Sequence, residues 1–112
     1  NIEEIRLPSE AESATSSYWL YTILLNDDGE IGRDDLIQRL LINGIEARPV
    51  FYPMHVMPPY SLFSGERSLK NTENISRRGI SLPISSSVTE SQVQEIASVI
   101  KNNFKTKKMC AS

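Results

Sequence analysis

Residues 44–55 constrain the fold more than any other segment of this chain. These twelve residues have the sequence GIEARPVFYPMH. They contain a helix-ending glycine, a short apolar run, two prolines and the only histidine of the chain. Proline lacks the N–H that a β-ladder needs and restricts the residue before it, so a strand that reaches Tyr52 and Pro53 must leave the sheet there. Polar side chains at such a strand end are placed to face a ligand.

Length, charge and cysteine content exclude several classes of protein. A chain of 112 residues forms one domain at most. Its net charge of −2 argues against a nucleic-acid partner, for which a strongly basic face is expected. The single cysteine, Cys110, cannot form an internal disulfide, and no apolar run approaches the roughly 20 residues that cross a bilayer. We expect a cytoplasmic protein with neither nucleic acid nor membrane among its partners.

The two ends of the chain differ in composition from its middle. Residues 1–16 begin with Asn1 and show no sustained period, which predicts a connector within a longer protein. The lysine-rich residues 105–112 predict a solvated basic tail. One folded domain is therefore expected over residues 17–104.

The first half of this domain carries a strand pattern and then a helix pattern. Aromatic and β-branched residues at positions 18–25 predict a strand, with Trp19 and Tyr21 expected in the core. An apolar stripe at residues 33–43 predicts an amphipathic helix, which Gly44 ends in the left-handed conformation.

The second half begins with another predicted strand, at residues 45–51. Residues 53–68 are rich in proline and apolar side chains without clear periodicity, which predicts an ordered irregular loop. A short helix is predicted at residues 71–78, followed by a third strand at residues 79–84 that also runs into a proline.

The last helix has the clearest start signal. Thr89 is followed three residues later by Gln92, the spacing of a capping box. The residues expected on its buried face are Val93, Ile96, Ala97, Ile100 and Phe104. Together these elements predict an α+β fold, in which a small three-stranded, mainly antiparallel sheet is covered by helices on one face.

The chain offers few groups for catalysis. His55 and Cys110 are far apart in the sequence and predict neither a metal site nor a catalytic pair. Lys70 is the one lysine before the last helix, and its polar neighbours would not desolvate it as a Schiff-base lysine requires. The glycines occur singly, without the spacing of a phosphate-binding loop. We expect no catalytic, cofactor-binding or metal-binding residue in this chain by itself.

A series of short motifs supports a more specific interpretation. The motifs are YWLY at 18–21, RDDL at 33–36, NGIEARP at 43–49, YPMH at 52–55, PY at 59–60, SLP at 81–83 and TE at 89–90. In order and spacing they resemble the C-terminal part of the DegT/DnrJ/EryC1/StrS family. These are pyridoxal-phosphate-dependent sugar aminotransferases with an aspartate-aminotransferase-like, type I fold. The resemblance covers residues 17–104.

The resemblance implies that the chain is the small domain that closes the active site of a homodimeric transaminase. In such an enzyme a large domain of the same chain holds pyridoxal phosphate on a lysine. An amino group passes from glutamate to a keto-sugar attached to a nucleotide, for polysaccharide or glycan precursor synthesis. No residue here matches the cofactor lysine, so the chain alone is expected to be inactive.

Three side chains are candidate substrate contacts. His55 can exchange a hydrogen bond with a sugar hydroxyl or a phosphate, or it can tie the proline-rich segment to the sheet. Tyr52 can offer its hydroxyl at the strand end, or it can pack its ring. Arg48 can pair with a carboxylate of the amino donor or with a phosphate. It can instead pair with one of the nearby acids, which are Glu46, Asp34 and Asp35.

A second interpretation belongs to a different class of protein. The chain could be a stand-alone α+β module that binds a ligand or another protein and performs no catalysis. The apolar residues at 53–63 separate the two interpretations. In an enzyme domain they would contact the large domain, whereas in a monomeric module they would form an exposed patch that needs its own partner.

Overall fold

The computed structural model describes residues 2–27, 29, 31–65 and 68–108, without the side chains of residues 64 and 105–108. Within these residues the chain forms four short strands, four α-helices and one 3-10 helix. In chain order they are β1 (Ile5–Arg6), β2 (Tyr21–Leu25), α1 (Arg33–Ile42), β3 (Arg48–Pro49), the 3-10 helix (Met54–Val56), α2 (Pro58–Ser64), α3 (Lys70–Arg78), β4 (Gly79–Leu82) and α4 (Glu90–Lys108).

The sheet is antiparallel and has the strand order β1-β2-β4-β3. Ile23 of β2 lies opposite Ile80 of β4, and Pro49 of β3 lies opposite Ile80 on the other side. Pro49 fits because β3 is an edge strand, where a missing N–H on the outer side breaks no ladder. Opposed residues share a face of the sheet, so Arg48 and its partner Ser81 lie on the face away from Ile23 and Ile80.

The core lies between one face of the sheet and the helices α1 and α4. Ile23 and Ile80 are fully buried there, together with Leu36 and Leu40 of α1. The remaining buried apolar residues are Leu25, Ile31, Ile45, Ala47, Ile100 and Phe104. The predicted α+β class, a small antiparallel sheet with helices, is confirmed.

The stop at the end of α1 forms as its sequence predicts. Gly44 has a φ of +74°, in the left-handed region that favours glycine. Its N–H donates to the Leu41 carbonyl at 2.9 Å, and the Ile45 N–H donates to the Leu40 carbonyl at 2.9 Å. This is the Schellman pattern, and the buried Ile45 side chain is its apolar partner.

The capping box of α4 is also confirmed. The Thr89 N–H donates to Gln92 Oε1 at 2.9 Å, and the Gln92 N–H donates to Thr89 Oγ1 at 3.3 Å. The buried stripe differs from the predicted one, because the helix packs along the line through Ile100. Val93 and Ala97 are exposed, so their predicted burial is wrong. The residues that face the core are Ile96, Val99, Ile100 and Phe104.

Within the described residues the sheet has four strands, so the predicted number of three is wrong. The additional strand, β1, lies within residues 1–16, which the sequence predicts to be a connector. Its Ile5 pairs with Leu25 at the edge of β2. A strand of two residues is too short for any period to be read from its sequence.

The first predicted strand begins three residues late. Tyr18 has a φ of +46°, a left-handed backbone that interrupts an extended run, and β2 starts only at Tyr21. Tyr21 is half-buried and packs against the core. Trp19 is 74% exposed, so its predicted core position is wrong.

The strand predicted at residues 45–51 shortens to β3, because Ile45 is folded back onto the end of α1. The irregular loop predicted at residues 53–68 is wrong, since the 3-10 helix and α2 lie within it. The adjacent Pro58 and Pro59 start α2 because their fixed φ suits the first helical turn.

The remaining boundaries follow the sequence more closely. α3 begins one residue before the predicted helix, and β4 ends at Leu82, immediately before a proline. α4 continues to Lys108, through part of the predicted tail. Cys110 lies outside the described residues. Among the residues described, no helix combines the length and the apolar character that a membrane span requires.

Candidate functional site

The segment after β3 carries the only histidine of the chain. The Val50 N–H still binds the sheet, donating to the Gly79 carbonyl at 3.2 Å. Tyr52 then projects outward with 70% of its surface exposed, while Pro53 is buried against the body of the domain. The chain enters the 3-10 helix, where the His55 side chain is only 12% exposed.

His55 is held by a residue of α3. Its Nε2 lies 2.9 Å from Oε1 of Glu73. The same Glu73 oxygen accepts the backbone N–H of Leu69 at 3.1 Å, at the start of α3. One carboxylate oxygen therefore joins the 3-10 helix to the first turn of α3.

The environment of this carboxylate favours its charged form. The hydrogen bond with His55, followed by the one from the Leu69 N–H, lowers the pKa of Glu73 below its ordinary value. Placement near a helix N-terminus acts in the same direction. Glu73 is consequently ionised near neutral pH and can only accept hydrogen bonds there.

A second contact fixes the same segment one turn further along α3. The hydroxyl of Ser76 donates to the Phe51 carbonyl at 3.1 Å, and Ser76 is buried. Arg33, the first residue of α1, donates to the Ser76 carbonyl at 2.6 Å. Residues 51–55 are thus attached to α3 at two points, and α3 is attached to α1.

The three predicted candidates lie in different surroundings. Arg48 pairs with Glu46, with Nη2 and Oε1 2.7 Å apart, in an ion pair whose two side chains are largely exposed. Glu46 is one of the acids that the sequence offers as an alternative partner. Tyr52 points to solvent, and His55 is joined to Glu73.

Glu73 and Ser76 are not among the site residues that the sequence predicts. Glu73 lies in the first turn of a helix, where an acid is common for electrostatic reasons alone. Ser76 is one of many serines in the chain. Neither residue carries a local signal that would connect it with His55 or Phe51, which are distant in the sequence.

A large set of apolar side chains is exposed around the candidate site. Trp19 and Phe51 stack on each other with ring centroids 6.3 Å apart. In α2, which contacts the 3-10 helix, Leu62 and Phe63 are 88% and 86% exposed. We call Trp19, Phe51, Tyr52, Met54, Leu62 and Phe63 the exposed apolar set.

Charged residues gather at a different place, where β2 ends beside α1 and α3. Asp27 pairs with Arg77 at 2.6 Å and with Arg78 at 3.5 Å. The hydrogen bond from Arg77, aided by the charge of Arg78, lowers the pKa of Asp27. Arg33 pairs with Asp34 at 2.8 Å. A depression of about 380 Å³ lies here. Among its described residues the charged side chains pair mainly with one another, and Arg78 Nε is buried without a hydrogen-bond partner.

The described residues do not fit a covalently held pyridoxal phosphate. The described lysine side chains, Lys70 and Lys101, are both exposed, whereas a Schiff-base lysine needs a desolvated environment. Within the described part of the chain, no three histidine, cysteine, aspartate or glutamate side chains are grouped to hold a metal ion.

Comparison with known proteins assigns this architecture to a class. Its structural neighbours are aminotransferases of fold type I. The aminotransferase TlmJ of Streptoalloteichus hindustanus matches with a TM-score of 0.79 at 21% identity, over 96% of this chain and 28% of that one. DesV of S. venezuelae, solved in complex with a ketimine intermediate, matches with a TM-score of 0.76 at 27% identity, over 90% of this chain and 26% of that one.

The family follows from the sequence comparison. The profile of the DegT/DnrJ/EryC1/StrS aminotransferase family matches residues 1–101, and the chain belongs to this family. The GDP-perosamine synthase of Vibrio cholerae is 37% identical over 100 residues, which cover 89% of this chain and 27% of that protein. The chain therefore spans about a quarter of the length of the curated relatives it matches.

Proposed function

We propose that this chain is the C-terminal, active-site-closing domain of a pyridoxal-phosphate-dependent nucleotide-sugar aminotransferase in the cytoplasm. The full-length homodimer transfers an amino group from glutamate to a keto-sugar attached to a nucleotide, for polysaccharide or glycan precursors. A GDP-linked sugar is the first substrate to test, because several relatives are named GDP-perosamine synthase. The cofactor is held by a large domain of the same chain.

One observation carries this proposal: the exposed apolar set on a chain that spans about a quarter of its relatives' length. A monomeric soluble domain rarely exposes so many large apolar side chains together. A large domain that packs on them would remove their surface from water, which favours association by roughly 25 cal/mol per Å² of apolar area. The exposed apolar set is then an interdomain surface.

The candidate substrate contacts lie within residues 48–55, which also include part of the exposed apolar set. His55 offers an imidazole nitrogen to a sugar hydroxyl or a phosphate. Arg48 offers its guanidinium to a phosphate or to the carboxylate of the amino donor, with Glu46 as the group it exchanges for the substrate. Tyr52 offers a hydroxyl at an exposed position beside Phe51. The domain contributes orientation and exclusion of water, and the chemistry of amino transfer belongs to the cofactor.

In the alternative, a stand-alone binding module, the exposed apolar set has a different role. This alternative requires that the exposed apolar set bind a separate partner and that the full-length protein lack transaminase activity. The family membership and the coverage of the relatives favour the enzyme domain.

The test is an amino-transfer assay on the full-length protein that contains this chain. The purified enzyme is given pyridoxal phosphate, glutamate and a GDP-linked keto-sugar, and the release of 2-oxoglutarate is followed. A dTDP-linked or UDP-linked keto-sugar serves as the comparison substrate. Amino transfer to a nucleotide sugar supports the proposal, and a well-folded, cofactor-loaded protein that aminates none of the three contradicts it.

A further inference from the structure

His55 differs from its neighbours in being turned into the domain. Tyr52, Met54 and Val56 are all more than half exposed, whereas the His55 side chain is 12% exposed. Its hydrogen bond to Glu73 is the contact that orients the ring. An imidazole held at one nitrogen keeps its second nitrogen in a fixed direction.

The identity of the hydrogen-bond donor follows from Glu73. An ionised carboxylate has no hydrogen to donate, so the proton in the contact between Nε2 and Oε1 belongs to His55. In a neutral imidazole one ring nitrogen donates and the other accepts. For the neutral ring, Glu73 therefore selects the tautomer with hydrogen on Nε2 and leaves Nδ1 as an acceptor.

Glu73 is itself fixed by the helix on which it lies. The Leu69 N–H donates to the same Oε1 that faces His55, so this position must be occupied by an acceptor. The backbone N–H of Glu73 donates to the Leu69 carbonyl at 2.9 Å. The backbone N–H and the side-chain carboxylate of Glu73 are thus both hydrogen-bonded to Leu69 at the start of α3. The carboxylate cannot rotate away without losing a hydrogen bond.

We propose that Glu73 is a positioning residue for substrate binding: it holds His55 in the Nε2–H tautomer so that Nδ1 accepts a hydrogen bond from a hydroxyl of the sugar nucleotide. This inference rests on the proposed function. Glu73 acts through His55 and does not touch substrate. Its effect on catalysis therefore disappears when His55 is absent.

The experiment is a double-mutant cycle in the full-length enzyme, with steady-state kinetics for the sugar nucleotide. We expect Glu73→Ala and His55→Ala each to lower kcat/KM by roughly ten- to a hundred-fold, because each change removes the same hydrogen bond to substrate. The double variant should lose no more than the worse single variant, because both changes remove the same contact.

Glu73→Gln is the matched variant. The Leu69 N–H requires an acceptor, so the glutamine amide presents its oxygen at that position and still accepts from Nε2. We expect its kcat/KM to lie within about threefold of wild type. Arg77→Gln is the control, because it removes an exposed ion pair from the same helix, on the side of Asp27. It should leave kcat/KM unchanged.

A spectroscopic readout separates positioning from simple stabilisation. The full-length enzyme is labelled with ¹⁵N at its histidine side chains. The signal of His55 is identified by its absence in His55→Ala. We expect its ¹⁵N shifts to be those of the Nε2–H tautomer. Glu73→Ala should shift this signal towards a mixture of tautomers, and Glu73→Gln should not.

The outcomes distinguish this inference from the proposed function. Losses of kcat/KM that multiply in the double variant, or an unchanged tautomer in Glu73→Ala, overturn the positioning role while wild-type amino transfer still supports the enzyme assignment. If the wild-type enzyme transfers no amino group to any nucleotide sugar, the proposed function itself is wrong. A Glu73→Ala variant that loses only thermal stability assigns Glu73 to the scaffold.

Discussion

Trp19 and Phe51 stack on each other at a centroid separation of 6.3 Å although both side chains remain largely exposed. Trp19 precedes β2 and Phe51 follows β3, so the pair joins segments next to the two strands that flank β4. Exposed apolar rings that pack on each other are typical of a surface that another part of the protein contacts.

Trp19 gives a direct measure of this coverage, because it is the only tryptophan in these 112 residues. We expect acrylamide to quench its fluorescence efficiently in the 112-residue chain. In the full-length enzyme the fluorescence of Trp19 is obtained as the difference between wild type and Trp19→Phe. We expect this fluorescence to be blue-shifted and protected from quenching. Equal quenching in both proteins would mean that nothing covers the exposed apolar set.

Gly79 is required by a close approach between β4 and the segment after β3. A Cβ at position 79 would overlap the side chain of Val50 and lie 2.8 Å from the Ile75 carbonyl. We expect Gly79→Ala to lower the free energy of unfolding by about 1–3 kcal/mol, as overpacking of a buried site does. Chemical denaturation measures the change.

Gly32→Ala is the control for Gly79→Ala. Nothing lies within 4 Å of a Cβ at position 32, and only the preference for glycine over alanine at a helix N-cap is lost, which costs a few tenths to about 1 kcal/mol. Equal destabilisation by the two changes would show that the contact with Val50 has no particular weight.

The buried hydroxyl of Ser76 holds the exit of β3. Ser76→Ala removes its hydrogen bond to the Phe51 carbonyl, and we expect a loss of about 1–2 kcal/mol in the free energy of unfolding. Ser98→Ala is matched to it, since Ser98 makes a similar bond to the Gln94 carbonyl at an exposed position of α4. That variant should change stability by no more than about 0.5 kcal/mol.

Acid should weaken the contact between α3 and the 3-10 helix. The pKa of Glu73 is lowered from 4.5 in the folded protein, so its contribution to stability is complete above that value and is lost as pH falls through the lower, folded-state pKa. We expect denaturation midpoints measured from pH 7 to pH 3 to fall less steeply below pH 4.5 in Glu73→Gln than in wild type. Glu95→Gln, at an exposed position on α4, controls for the loss of one negative charge. Identical acid limbs for Glu73→Gln and wild type would contradict the role of this carboxylate.

The parts of the fold that the sequence predicts correctly depend on local signals. The glycine stop at Gly44 and the capping box of Thr89 and Gln92 are complete within a few residues, so their geometry follows from those residues alone. The prediction for Trp19 fails for the opposite reason. Trp19 is largely exposed, and an aromatic residue at the surface has the same composition signal as one in the core.

The candidate site is predictable only in part. The prolines near His55 indicate that the chain leaves the sheet, and this is what the structure has after β3. The partner of His55 is not predictable, because Glu73 lies on a different helix, 18 positions away. The two residues meet only through the packing of α3 beside the 3-10 helix.

The most direct test of the central claim is the kinetics of His55→Ala and Arg48→Ala in the full-length enzyme, measured alongside thermal melts. If this domain contacts substrate, each change should lower kcat/KM for the sugar nucleotide or the amino donor by about ten- to a hundred-fold, equivalent to about 1.5–3 kcal/mol, with cofactor binding intact. A lower melting temperature with unchanged kcat/KM in both variants would contradict the account and assign both residues to the scaffold.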